Sequence, residues 1–150
     1  MTALFAFLHH LAAFTLFAAL VVEFLLTKGE LTLANARRIL LADVLFGVSA
    51  GIVLVVGFIR VFYLEKGAAY YFHNGAFHAK LTLFVLIGLL SIYPTVKFLS
   101  WRPALRSGSV PAVDAATLHR IRMLIHSELA ALVLLILCAT LMARGIGSFG

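Results

Sequence analysis

The sequence is short of most of what catalysis in water uses. Its 150 residues include one cysteine, three prolines, one tryptophan and six acidic side chains, and charged residues make up only 12%. The lone cysteine, Cys138, excludes an intrachain disulfide and any cysteine-clustered metal site. No His-Glu-x-x-His stretch is present, which argues against zinc hydrolysis. No nucleophile sits in a glycine-flanked elbow, so serine chemistry also lacks support. There is no internal repeat and no low-complexity segment. The net charge of +6 falls at the ends of apolar runs, which points to topology and lipid headgroups rather than nucleic acid.

Hydrocarbon is what remains. The chain is 63% hydrophobic, with a mean hydropathy of +1.09. Several runs exceed the roughly 18 residues that mark a membrane span, more apolar surface than a soluble domain of this length could bury. The pattern predicts an all-α, single-domain polytopic membrane protein, an antiparallel four-helix transmembrane bundle with spans at about 3–27, 39–63, 76–99 and 118–143. The first span is long for a signal-peptide core and no basic residue precedes it, so it reads as a retained helix. Pro94 is expected to kink the end of the third span, and Asp114 is a good N-cap for the fourth helix. Basic residues concentrate in the first and third loops and their flanks. By the positive-inside rule this places both termini outward, in the periplasm of a bacterial inner membrane.

Ionisable groups within a span are expensive and mark function by default. In the first span His9 shares a face with Ala12, Ala13, Leu16, Ala19 and Glu23, which is the inward face, while His10 lies with Phe14, Phe17 and Phe24 toward lipid. In the second, Gly47 and Gly51 form a small-xxx-small pair read as helix packing, with Asp43 near one end and Arg60 near the other. In the third, Lys80 falls with Gly88, Ser91 and Thr95 on an inward face. His78 falls with Val85, Leu89 and Ile92 and faces lipid, a neighbouring subunit or a wide cofactor; an interfacial anchor is its plain alternative. In the fourth, His119, Arg122 and His126 line one stripe and Glu128 lies on a different side. An Arg122–Glu23 or Arg122–Asp43 ion pair is a structural explanation for these charges. Depth sorts the groups into two layers: His9, Arg60, His78 and Lys80 in the outer third, and Glu23, Asp43 and His126 in the inner half. His9 and His126 are thereby too far apart to share one metal.

Imidazole in a four-helix bundle is a familiar way to hold haem iron. The candidate cofactor-binding residues are His9, His78, Lys80, His126 and Arg122, with His9, His78 and His126 as metal ligands. Lys80 and Arg60 are the candidate catalytic groups, and Arg60 is also suited to neutralise propionates. Copper is the competing metal, although soft partners are sparse: Met123 is near the inner layer, and Cys138 and Met142 lie far along the fourth helix.

Two resemblances bear on this. His9, His78-Ala79-Lys80-Leu81 and Arg122 with Ser127-Glu128 resemble HemJ-type protoporphyrinogen oxidases, which are grouped more loosely with CopD-like copper-resistance membrane proteins. Ser127 and Ala130 stand where that family carries Asn and Pro, and Ala76-Phe77 stands where it carries a tryptophan. The resemblance implies haem b, with His9 as a ligand and His78 and Lys80 as second ligand or proton-handling groups. Over most of its length the chain resembles the bacterial membrane family called domain of unknown function 2214. The Arg60 region, Lys66-Gly67, Phe77 to Lys80 and Ser91 to Pro94 carry that similarity. The reading that follows is a haem b membrane oxidoreductase or electron-transfer protein acting on a porphyrinogen or quinone. The alternative is a non-enzymatic membrane protein: copper or proton handling, or a helical accessory subunit. Expected partners are membrane lipids and either further copies of the chain or a larger membrane complex. A channel or transporter has little support without an inverted repeat.

Overall fold

A computed structural model describes residues 2–64 and 68–147. Four long helices dominate: α1 (Thr2–Lys28), α2 (Leu33–Ile59), α4 (Gly75–Ser100) and α6 (Ala115–Ala143). A π-helical turn, Arg60–Leu64, prolongs α2, and two five-residue helices, α3 (Ala68–Phe72) and α5 (Arg102–Arg106), occupy the connections. No β-strand occurs among the described residues. All four long helices are long and apolar enough to cross a membrane. Each begins or ends within a few residues of the expected span; α2 starts at Leu33, the helical turn expected ahead of the span at 39, and Thr32 caps it. The Lys66-Gly67 dipeptide lies outside the described residues.

Local chemistry sets these boundaries. The Thr32 hydroxyl accepts from the Asn35 amide at 3.2 Å, and the Asp114 carboxylate accepts from the Thr117 amide at 3.1 Å. Each satisfies a donor that a helix start would otherwise leave open. The Thr117 hydroxyl also donates to Asp114, and together these bonds hold its carboxyl below the usual carboxylate range. Asn74 caps α4 by accepting from the amides of Ala76 and Phe77 at 2.9 and 3.3 Å. α4 runs through Pro94 to Ser100; proline removes one helical donor, and the helix resumes beyond it.

The helices form a ring in which α1 lies against α2 and α6, and α4 against α6 and, more sparsely, α2. Long-range contacts mark two ends. At one, Arg122 Nε of α6 donates to the Thr27 carbonyl of α1 at 2.7 Å, and Arg37 of α2 donates to the Leu105 carbonyl of α5. At the other, His9 of α1 faces Gly57 of α2, and the Gly75 amide donates to the Gly147 carbonyl at 2.8 Å. The core is built from helical stripes: Ile121, Ile125, Glu128 and Leu132 on α6, and Leu16, Ala19, Leu20 and Glu23 on α1. Phe98 and Trp101 stack edge to face under it, ring centres 5.0 Å apart. Phe14, Leu25, Val48, Leu89 and Val133 are exposed, as a lipid-facing surface requires.

The glycines of α2 do not do what their spacing predicts. A Cβ added at Gly47, Gly51 or, on α4, Gly88 meets nothing within 4 Å among the described residues, so none permits a close approach between them. The helix that does come close does so at Gly57, where a Cβ would lie 3.3 Å from the His9 ring.

Asn74, in the connection ahead of α4, is fully buried. Asn74→Ala removes both capping bonds and is expected to cost about 1–2 kcal/mol. Thermal unfolding followed by circular dichroism in detergent should show the melting temperature falling with helix content intact.

Candidate functional site: a buried carboxyl layer

Helix periodicity carries three carboxyl groups to the bundle interior. Glu23 and Glu128 sit on the buried stripes of α1 and α6 at 2% and 1% exposure, and Asp43 of α2 is 5% exposed. Asp43 and Glu128 lie near enough to act electrostatically on Glu23, and Asp43 acts on Glu128. The fourth long helix contributes Thr95, whose hydroxyl donates to Asp43 Oδ1 at 2.7 Å. One polar group from each long helix thus enters a single layer. It lies toward the end carrying Lys28 and Arg122: Glu23 is five residues before Lys28, roughly 7.5 Å along the helix.

The layer is short of donors. Glu23 Oε1 and Glu128 Oε1 are buried with no hydrogen-bond partner among the described residues. The expected ion pair from Arg122 is not formed; its Nε is turned to the Thr27 main-chain carbonyl instead. The carbonyls of a helix's last turn have no intrahelical donor, so Thr27 is an open acceptor within reach. An unpaired polar oxygen in an apolar interior is costly, and an unpaired charge much more so.

A cleft of about 330 Å³ between α2 and α4 leads toward this layer. Leu16 and Leu132 form its floor, and Gly47, Gly88, Ser91 and Thr95 its sides. The face of α4 assigned to the interior, Gly88, Ser91 and Thr95, is therefore the wall of this cleft. Thr95 belongs to both features, so its hydroxyl joins the cleft to Asp43.

The histidines are placed separately. His9 is half-buried against Gly57. His10 is exposed and bonded to the Ala6 carbonyl of its own helix. His78 is exposed, and its Nε2 donates to the Phe72 carbonyl at 2.7 Å, which ties α4 to α3. His126 is exposed and tilted against Phe24, ring centres 5.8 Å apart. His9 and Phe24 are fifteen residues apart on α1, which separates His9 from His126 by roughly 22 Å along the bundle. Lys80 is half-buried with its ammonium 5.6 Å from the Phe77 ring, and Arg60 opens the π-helical turn. His119 is exposed. Among the described residues no three His, Cys, Asp or Glu side chains come together as a metal site. A haem shared by His9 and His126 does not fit this arrangement, and the His78 Nε2 is already engaged.

The chain matches, over residues 1–147, the family described as Predicted membrane protein (DUF2214). It belongs to that family. Comparison with curated proteins and with solved structures gives no match. The DUF2214 match spans all four long helices, so the carboxyl layer and the cleft both fall within it.

The sequence pattern puts Glu23 and Asp43 in one inner layer with His126 and sets Glu128 on a different side of the fourth helix, with no role shared by the three carboxyls. The signal was available in the burial stripes of α1 and α6; the register that brings the helices together was not.

Gly57 offers a test of the packing above the layer. Gly57→Val drives a side chain into the His9 ring and should lower the melting temperature in detergent by several degrees. Gly51→Val, with open space around it, should leave it unchanged within about one degree.

Proposed function

We propose that this protein is a non-enzymatic membrane protein that handles protons through the Glu23–Asp43–Glu128 layer. The observation that carries the reading is the pair of buried carboxyl oxygens, Glu23 Oε1 and Glu128 Oε1, that no donor among the described residues meets. Three carboxylates close together in hydrocarbon, with no ion pair to them among the described residues, would compound the cost of burying even one. A proton relieves that cost, and intramembrane carboxyl groups facing a bundle interior are characteristic of proton relays. The Thr95 hydroxyl gives the layer a polar link to the cleft, and Arg122 stands between the layer and the nearer membrane surface. The charge bias of the connections supports an inner-membrane setting with that surface cytoplasmic and both termini periplasmic.

Infrared spectroscopy of the protein in lipid tests this. The wild type should show a protonated-carboxyl stretch at neutral pH, reduced in Glu23→Gln and in Glu128→Gln and nearly abolished in the double variant. A wild type with no such band between pH 5 and pH 9 would reject the reading.

A haem-dependent oxidoreductase is the second reading. It draws on the inward setting of His9 against Gly57 and on the resemblance to HemJ-type oxidases. His78 or Lys80 is its candidate second ligand, with His78 Nε2 bonded to the Phe72 carbonyl, and no catalytic step is assigned. Absorption spectra of purified protein, before and after dithionite, separate the two. A Soret band with sharpened visible bands, lost in His9→Ala, would favour the second.

A further inference from the structure

At the end of the bundle that carries Arg122, a second pocket of about 420 Å³ opens between α2 and α5. Three arginines line it: Arg37 from α2, and Arg102 and Arg106, four residues apart on α5 and so on one face of that short helix. Arg37 Nη2 donates to the Leu105 carbonyl at 3.3 Å, which fixes α5 against α2. Arg102 and Arg106 are exposed, no acidic side chain lines the pocket, and none of the three arginines is ion-paired among the described residues. Away from the arginines the wall continues over Leu41 and Val44, which are 61% and 42% exposed on the lipid-facing side of α2. A cationic mouth therefore grades directly into an apolar wall.

We propose that the α2–α5 pocket is a docking site for one anionic phospholipid, its phosphate held by Arg37, Arg102 and Arg106 and its acyl chain laid along Leu41 and Val44. Guanidinium groups suit phosphate oxygens because their paired N–H donors match them in geometry as well as charge. The apolar wall selects a lipid over a free phosphate, which would use the mouth alone. Scattered basic residues at a membrane surface attract anionic lipid diffusely; here the three converge on one pocket with its own hydrocarbon surface. The site is separate from the carboxyl layer and does not depend on the proton reading.

Native mass spectrometry of the full chain, released from detergent after equilibration with equal phosphatidylglycerol and phosphatidylcholine of matched chains, tests it. The wild type should retain one phosphatidylglycerol per chain in preference to phosphatidylcholine. Arg102→Gln with Arg106→Gln should reduce that preference by about 25-fold, about fivefold per arginine. Lys28→Gln with Arg120→Gln, at the same end but outside the pocket, should keep it. Both α5 arginines are exposed, so the fold should survive; circular dichroism checks this, and Arg102→Gln alone, with about a fivefold loss, serves if the double variant fails it. The proposal is overturned if the α5 variant binds as the wild type does or the Lys28 and Arg120 pair loses as much. It is equally overturned if the wild type does not discriminate, or if glycerophosphoglycerol, which has no chains, binds as tightly as the lipid.

Discussion

Carboxyl groups in hydrocarbon set the terms for this bundle. Glu23, Asp43 and Glu128 enter the same interior level from three helices, buried where a charge loses the stabilisation of bulk solvent. Thr95 meets one oxygen of Asp43, while one oxygen each of Glu23 and Glu128 is left without a donor. A hydrophobic replacement at each position would pack the interior at less cost, since buried polar groups that lack partners lower stability rather than raise it. Retaining three of them in one layer makes sense where the groups exchange something with their surroundings. The rest of the architecture can be read as a frame for that layer.

The frame is asymmetric. Contacts between α1 and α2 and between α4 and α6 are extensive, while α2 and α4 meet sparsely and leave the cleft that reaches Thr95. Gly47 and Gly88 contribute by omission: without side chains they widen the cleft instead of closing it. At the nearer surface Arg122 is held by the Thr27 carbonyl, and Lys97 and Arg120 stand over the Tyr93 ring at 5.4 and 5.5 Å. Cations at these helix ends suit a membrane boundary, where an ammonium or guanidinium keeps its hydration while its stem packs on apolar groups. The opposite end is tied by Asn74 and by the Gly75–Gly147 hydrogen bond, which fastens the turn after α6 to the start of α4.

The helices were legible because the runs of apolar residues are long and the caps Thr32 and Asp114 are of standard kinds. The inward setting of Glu23 was legible too: a carboxyl group on a small-residue face has one economical direction in a membrane. Pairwise relations were harder. Arg122 looked like a partner for Glu23 or Asp43, but charge in a sequence carries no information about a main-chain acceptor such as the Thr27 carbonyl. Gly47 and Gly51 matched a packing motif whose meaning depends on what faces it, and here nothing among the described residues lies within 4 Å of an added Cβ. Asn74 was hidden by its turn-like neighbours, although a capping residue ahead of an apolar run is the pattern that could have found it. The histidines drew attention because imidazole binds metals, yet His10, His78 and His126 lie outside the core.

Proton movement in reconstituted vesicles bears most directly on the carboxyl layer. With an imposed membrane potential and a pH-sensitive dye inside, wild-type vesicles should acidify or alkalinise several-fold faster than vesicles carrying Glu128→Gln at equal protein density. Equal rates for wild type, variant and protein-free vesicles would contradict a role for the layer in proton handling.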